Sequence, residues 1–247
     1  YDNAGLITGS PDWTCSGILC SLDATEDVII EARSKGCNLV VAHHPIIFGG
    51  LKKINGKNYV EQTIIRAIKE DIAIYAIHTN LDNVLKGVNG KIAEMMGLEK
   101  QMILSEKDGT LKKLYTFVPL AHAEKVRTAL FEAGGGQIGN YTECSFNVEG
   151  TGTFKAGEGA DPFVGNLHER HSENEIRLEL VFPAPLQSNM IRALKAAHPY
   201  EEVAFDIVAL SNPHPGIGSG LLGELPEALS EQAFLQKIRS VFGTPVI

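Results

Sequence analysis

The chain has 247 residues, of which 44% are hydrophobic and 21% are charged, and its formal net charge is −8 at pH 7. This composition predicts a soluble globular protein with a real core, long enough for one large domain or two ordinary ones. The negative charge argues against sequence-independent binding to nucleic acid phosphates. No apolar run approaches the roughly 20 residues of a membrane-spanning helix, and no secretory signal is visible. We therefore expect a cytoplasmic protein.

The four cysteines are Cys15, Cys20, Cys37 and Cys144, and no two of them form a C-x-x-C pair. Scattered cysteines in apolar surroundings predict reduced, mostly buried thiols. Cys15 and Cys20 could also be read as metal ligands, but residues 17–22 have the pattern of a strand, and we favour that interpretation.

The first hundred residues alternate between apolar strands and amphipathic helices. We predict strands over 17–22, 39–42 and 72–77, and helices over 26–35, 60–70 and 89–96. Near-continuous apolar strands separated by helices are typical of a parallel sheet covered on both faces. The fold class of this part is therefore α/β.

The order of elements changes near residue 105. We predict strands over 114–118, 141–148, 176–182 and 203–210, and helices over 121–133 and 186–197. This β-α-β-β-α-β order is the ferredoxin-like pattern. We therefore predict an inserted ferredoxin-like α+β domain over 109–223, within an α/β core formed by 1–108 and a return segment over 224–247. The return segment contains a helix over 231–241.

Two adjacent histidines, His43 and His44, follow the buried run 39–42 and precede Pro45. Proline has no N–H for a central strand and favours extended geometry in the residue before it, so the histidines stand where a strand becomes a loop. Ligands gather at the carboxyl ends of parallel strands. Neutral imidazole is a common ligand for zinc, iron and related metals. The pair alone leaves metal binding and an ordinary structural role about equally favoured, given the false-positive rate of short motifs.

A second apolar run, 72–77, leads directly into His78 and Asp82. If both strands lie parallel in one sheet, these side chains meet His43 and His44 at one edge. Two imidazoles and a carboxylate suit a divalent first-row metal, and a carboxylate can bridge two ions about 3.5–4 Å apart. Asp82 could instead cap a turn. For His78 we favour a hydrogen bond that positions Thr79 or Asp82 over direct ligation.

Three motifs resemble the Nif-three family, whose bacterial members are catalogued as GTP cyclohydrolase 1 type 2 homologues. They are Tyr1-Asp2-Asn3-Ala4-Gly5-Leu6, Val41-Ala42-His43-His44-Pro45 and His78-Thr79-Asn80-Leu81-Asp82. The resemblance covers essentially the whole chain. It implies a site for two divalent ions (Zn, Fe, Mn or similar) in which the residues matching His43, His44 and Asp82 are ligands.

The middle of the chain resembles the inserted domain of longer bacterial members, which is similar to the PII and CutA proteins. The stretches that carry this likeness are Cys144-Ser145-Phe146, Gly150-Thr151-Gly152-Thr153-Phe154 and His198-Pro199-Tyr200-Glu201-Glu202. The family adds an opening helix and a C-terminal segment with a further histidine and glutamate. We therefore expect the sequence to be truncated at both ends, with an incomplete metal site. The resemblance also implies a toroidal homohexamer.

The first functional hypothesis is a two-metal hydrolase acting on a nucleotide or phosphoester, in which the ions activate water. The family label suggests GTP, but no residue pattern selects a purine, and no catalytic residue is assigned. The alternative is a non-enzymatic, metal-binding regulatory or interaction protein.

For the histidines of the middle region we favour structural roles over catalytic or ligand roles. His198 and the neighbouring Glu201 and Glu202 could form an acid–base pair, but a structural loop role is favoured. His168 and His171 lie in a polar stretch that is typical of a solvated loop.

Overall fold

A computed structural model describes residues 3–245. Residues 1, 2, 246 and 247 lie outside the described part, and with them the first two residues of the Tyr1-Asp2-Asn3 motif. The chain divides into two compact units. The first combines the residues up to Ser105 with those from Gly218 onward, and the second is Glu106–Ile217. Each unit has its own hydrophobic core.

The elements of the N-terminal part are β1 (Gly5–Thr8), β2 (Ile18–Ser21), α1 (Glu26–Ser34), β3 (Leu39–Ala42), α2 (Tyr59–Lys69), β4 (Ala73–Ala76), α3 (Thr79–Asp82), α4 (Val88–Met96) and β5 (Glu99–Glu106). Those that follow are β6 (Leu111–Pro119), α5 (Ala123–Glu132), β7 (Phe146–Lys155), β8 (Arg170–Pro183), α6 (Gln187–Ala197), β9 (Phe205–Ala209), β10 (Gly218–Glu224) and α7 (Glu231–Phe242).

The first unit is built on a four-stranded sheet in the order β1-β4-β3-β2. The parallel pairing of β2, β3 and β4 confirms the sequence-based prediction. The register places Ser21, Ala42 and Ala76 side by side, so three strands end at the same edge. Sequence reasoning missed β1, a short strand that pairs antiparallel with β4.

One face of this sheet packs against α1 and α2. Val40, Ile74 and Ala42 are fully buried there, together with Ile29 of α1 and Ile64 of α2. The alternation of side chains along a strand sends their neighbours to the opposite face. On that face Leu6, Ile18 and Cys20 are exposed, which differs from the prediction of a sheet covered on both sides.

Helix α2 is anchored at its start by a reciprocal cap. Asn58 accepts a hydrogen bond from the N–H of Glu61, while the Glu61 carboxylate accepts from the N–H groups of Asn55 and Lys57. These backbone hydrogen bonds lower the pKa of Glu61. The arrangement is a variant of the N-terminal capping box in which the Glu61 carboxylate accepts from residues before the N-cap, and it holds the loop that precedes α2.

The second unit has a sheet in the order β7-β8-β6-β9, in which all neighbouring strands are antiparallel. With α5 and α6 in their chain positions, this is the predicted ferredoxin-like arrangement. Both helices cover one face, where Leu114, Leu178, Phe182, Leu130 and Met190 are buried. The other face is open to a cavity described below.

The predicted strand over 141–148 is wrong in its placement. Tyr141 forms only an isolated bridge with Ile138, and β7 begins at Phe146 and continues through Gly150 and Gly152. The local pattern gives little sign of this continuation, because glycine weakens strand interiors. Pairing with β8 along its whole length overrides that preference.

A two-stranded sheet of β5 and β10 was not predicted. Because β10 pairs with β5, residues from Gly218 onward belong to the first unit, whereas the sequence placed the end of the inserted domain at 223. The division of the native protein into a core and an inserted domain stays a proposal.

Two further expectations can be compared with the structure. All four cysteines are free, but Cys15 and Cys20 are exposed and Cys37 and Cys144 are only half-buried, so the expectation of mostly buried thiols is wrong. Within residues 3–245, no helix has the length and apolar character needed to cross a membrane.

The core of the first unit gives a testable stability prediction. Ile74 is fully buried in β4, whereas Ile18 of β2 is 56% exposed. We expect Ile74→Ala to lower the free energy of unfolding by about 2–5 kcal/mol, because it removes buried methyl groups and leaves a cavity. Ile18→Ala should change it by no more than about 0.5 kcal/mol.

Urea denaturation followed by tryptophan fluorescence measures this. The single tryptophan, Trp13, packs over Gly9 in the first unit and so reports on that unit alone. Equal losses for the two variants would show that the assigned core is wrong.

Candidate metal centre

The candidate site lies at the carboxyl edge of β2, β3 and β4. Beyond the strands, the N–H groups of His43 and His44 donate to the carbonyls of Ser21 and Leu22, at 3.1 and 2.9 Å. The N–H of His78 donates to the His43 carbonyl at 3.0 Å. These hydrogen bonds extend the sheet by one or two residues and fix both histidine motifs to the same edge.

Three imidazole rings converge there. The ring centroid of His43 lies 4.8 Å from that of His44 and 5.6 Å from that of His78. The centroids of His44 and His78 are 6.4 Å apart. The structure thus brings together three of the four residues that the sequence singled out.

The position of His44 is fixed by a residue that sequence reasoning missed as part of the site. The Asp23 carboxylate lies 2.9 Å from Nδ1 of His44. An ionised carboxylate only accepts, so in the neutral ring Nδ1 carries the proton and Nε2 keeps its lone pair for a metal or substrate. The signal for Asp23 in the sequence is its position, because it follows β2 as the histidines follow β3.

The backbone of His78 adopts an unusual conformation. Its φ is 39° and its ψ is −138°, a region that side-chain-bearing residues rarely occupy. Such conformations cost about 1–3 kcal/mol and cluster at functional sites. The turn ends β4 abruptly and places the His78 ring beside those of His43 and His44.

The loop after Pro45 forms an apolar wall on one side of the rings. Phe48 is 70% exposed and stands edge-on to His78, with centroids 6.1 Å apart. The Asn3 side-chain amide donates to the Ile47 carbonyl at 2.7 Å. The described residue of the Tyr1-Asp2-Asn3 motif therefore holds the loop that carries this wall.

Asp82 lies at the end of α3, where it is half-buried and its carbonyl accepts a hydrogen bond from the Asn89 amide. Across residues 3–245, no three His, Cys, Asp or Glu side chains are placed so that they could hold one metal ion. The role of Asp82 as a ligand therefore stays a prediction.

The histidines of the second unit have other surroundings. His198 is buried, donates from Nε2 to the Phe117 carbonyl and accepts at Nδ1 from the N–H of Tyr200, which confirms its structural role. Burial lowers its pKa. The loop prediction is wrong for His171, because this residue lies in β8, 3.0 Å from the Glu173 carboxylate.

These features define an α/β protein with a histidine cluster at the carboxyl edge of a parallel sheet. The family model described as Duf34/NIF3 (NGG1p interacting factor 3) matches residues 1–247. The chain belongs to this family.

The chain is 39% identical over 245 residues to the GTP cyclohydrolase 1 type 2 homolog of Halalkalibacterium halodurans, covering 99% of this chain and 66% of that protein. It is 40% identical over 234 residues to the Bacillus subtilis protein of the same name, covering 94% and 63%. The crystal structure of a Bacillus cereus protein related to NIF3 matches with a TM-score of 0.77 and 40% identity, covering 99% and 65%. The chain therefore spans just under two thirds of these relatives.

The strained backbone at His78 can be tested with two substitutions that both remove the ring. We expect His78→Gly to be more stable than His78→Ala by about 1 kcal/mol, because relief of the positive φ exceeds the entropy that glycine adds to the unfolded chain. At Asn80, within α3, the order should reverse, since alanine is the better helix former. Urea denaturation of the four variants provides the measurement, and the same order at both positions would contradict the assigned backbone.

The contact between Asp23 and His44 can be tested by NMR. In the neutral ring of the parent protein, the ¹⁵N shifts of His44 should show the Nδ1–H tautomer, because the carboxylate accepts that proton. Asp23→Ala should move the population toward the Nε2–H form. Asp27→Ala, in the first turn of α1, is the matched control and should leave the spectrum of His44 unchanged. An unchanged tautomer in Asp23→Ala would show that this contact does not orient the ring.

Proposed function

We propose that the histidine cluster binds divalent metal ions, two in a complete site, and that the protein is a metal-dependent hydrolase of a nucleotide or phosphoester. His43, His44 and Asp82 are the proposed ligands, with His78 in a supporting hydrogen-bonding role. The convergence of three imidazoles at the end of parallel strands carries this proposal. Imidazole and carboxylate donors suit zinc, iron or manganese.

The donor atoms of the described residues are of the types that coordinate metal ions. In the neutral His44 ring, the contact with Asp23 favours the tautomer whose Nε2 is unprotonated and able to coordinate an ion, and carboxylate–histidine pairs of this kind support metal sites. The described residues do not form a closed set of three ligands. The fit therefore rests on donor type and convergence.

When bound, a pair of ions polarises the substrate and lowers the pKa of a bound water. Residues of this chain position the histidine rings at which that chemistry would take place. Asp23 fixes the His44 ring, the hydrogen bond from the His78 N–H to the His43 carbonyl fixes the spacing of the two motifs, and Phe48 places an apolar ring beside His78. The name GTP cyclohydrolase 1 type 2 homolog belongs to the relatives and makes GTP the first substrate to test.

A non-enzymatic, metal-binding regulatory or interaction protein is the second candidate. One observation favours it, because the family description names an interacting factor. Turnover separates the candidates, because this alternative binds metal without hydrolysis.

Metal content tests the ligand assignment. The protein is incubated with Zn²⁺, Mn²⁺ or Fe²⁺, dialysed and analysed for bound metal. His43→Ala, His44→Ala and Asp82→Ala should each lose most of the bound metal, because each removes a donor. Asp23→Ala should weaken affinity about 10–100-fold, as expected for a partner of a ligating histidine. The control is His168→Asn in the second unit, since His168 has a φ of 64° that asparagine tolerates.

Hydrolysis is measured on the same samples with GTP and a panel of phosphoesters. Metal-dependent turnover that disappears in His44→Ala and persists in His168→Asn supports the hydrolase. Metal binding without turnover supports the second candidate. Bound metal that is equal in His43→Ala, His44→Ala and the parent protein would show that the cluster is not a metal site.

Three predictions accompany this proposal. They are the homohexamer, the cytoplasmic location, and the likeness of the second unit to PII and CutA proteins.

A further inference from the structure

The second unit contains a cavity of about 680 Å³ on the sheet face away from α5 and α6. Its floor is formed by β7 and β8, and its sides by the segment around Phe163 and by the turn from Tyr200 to Ala204. This volume lies within the range of small-molecule sites in proteins. The cavity belongs to one unit and shares no residue with the histidine cluster.

Glycines in β7 create the space. Val148, Gly150, Gly152 and Phe154 alternate along the strand and so share one face. The two glycines contribute no side chain there, which leaves a hollow between Val148 and Phe154. A Cβ atom at Gly152 would lie 2.1 Å from Oε2 of Glu175, whereas one at Gly150 would meet nothing within 4 Å.

A buried carboxylate lies in this hollow. Glu175 is only 8% exposed, and its Oε1 accepts a hydrogen bond from the Tyr200 hydroxyl at 2.8 Å. Among the residues that the structure describes, none donates a hydrogen bond to Oε2, which is not one of the atoms sealed away from solvent without a partner. An ionised carboxylate oxygen only accepts, so Oε2 can accept a hydrogen bond from a donor on a ligand in the cavity.

The walls are aromatic and held in place. Tyr200 stands between Phe154 and Phe163, with centroids 6.1 and 6.2 Å away. His198 fixes Tyr200 from behind by accepting its backbone N–H while donating to the Phe117 carbonyl. Aromatic faces attract cations, and a rigid wall lowers the entropy lost on binding.

The charges of the side chains around the cavity favour a cationic ligand. Four glutamates line it, namely Glu149, Glu175, Glu201 and Glu202, against two basic residues, Lys155 and Arg177. Phosphate-bearing molecules are disfavoured by this rim, whereas a protonated amine is attracted to it.

We propose that this cavity is a binding site for a small organic cation, in which a protonated nitrogen donates to Oε2 of Glu175 while an apolar or aromatic body packs against Phe154, Phe163 and Tyr200. The site is independent of the proposed metal centre.

The test uses the whole chain in EDTA, so that the outcome does not depend on metal. The probes are tryptamine, phenethylamine and benzamidine, with tryptophol as the uncharged analogue of tryptamine. Binding is followed by ¹H–¹⁵N chemical shifts and by calorimetry. At least one amine should bind and shift the amides of β7 and of the turn from Tyr200 to Ala204. When tryptamine binds, tryptophol should bind about tenfold more weakly, because a charge-assisted hydrogen bond is lost.

Three variants locate the contact. Glu175→Gln keeps the shape and an acceptor for Tyr200 but removes the charge, and it should weaken amine binding about tenfold or more. Gly152→Ala should do the same, because its methyl displaces the carboxylate. Glu179→Gln is the matched control, because it removes a carboxylate charge from the same strand at a residue that does not line the cavity, and it should change affinity less than about threefold. Backbone spectra show that each variant folds.

Three results would overturn the proposal. The first is the absence of saturable shifts with all three amines. The second is amine binding that is unchanged in Glu175→Gln and Gly152→Ala, or tryptophol binding equal to that of tryptamine. The third is movement of the cavity resonances with protein concentration alone, which would show that a second copy covers this face.

Discussion

The parallel hydrogen-bond ladder of β2, β3 and β4 is the constraint on which the candidate metal centre depends. Its register aligns Ser21, Ala42 and Ala76, and four further backbone hydrogen bonds extend it past the strand ends. Every polar side chain of the site follows one of these strands. A slip by one residue in any strand would turn its side chains to the other face of the sheet. The histidine cluster therefore depends on the register of the strands as well as on which residues follow them.

The sequence predicted this cluster because each motif is a buried run that ends in polar residues. It could not identify the partner of His44, because Asp23 follows β2 in a segment that also reads as a turn before α1. The positive φ of His78 could not be predicted either, since the local sequence carries no signal for that conformation at a histidine. Both features are set by contacts between segments that are distant in the chain.

The fold was predictable where local pattern and final structure agree. The helices end close to the predicted residues, as at Gly97, whose φ is 67°. The failures have one cause, which is pairing between distant segments. Strand β7 continues through Gly150 and Gly152 because β8 extends beside it, and β5 exists because β10 returns to it. Neither partner is visible in the local pattern, and tertiary contacts decide the outcome.

The pairing of β5 with β10 has a consequence for the order of folding. Residues 107–217 lie between these strands, and closing a long flexible loop costs conformational entropy that grows with its length. The second unit is continuous in sequence and brings its own ends together, since the N–H of Lys107 donates to the Ile217 carbonyl at 3.3 Å. Once this unit has formed, the strands on either side of it start as near neighbours. The first unit is therefore completed most easily after the second, although most of its residues precede the second unit in the chain.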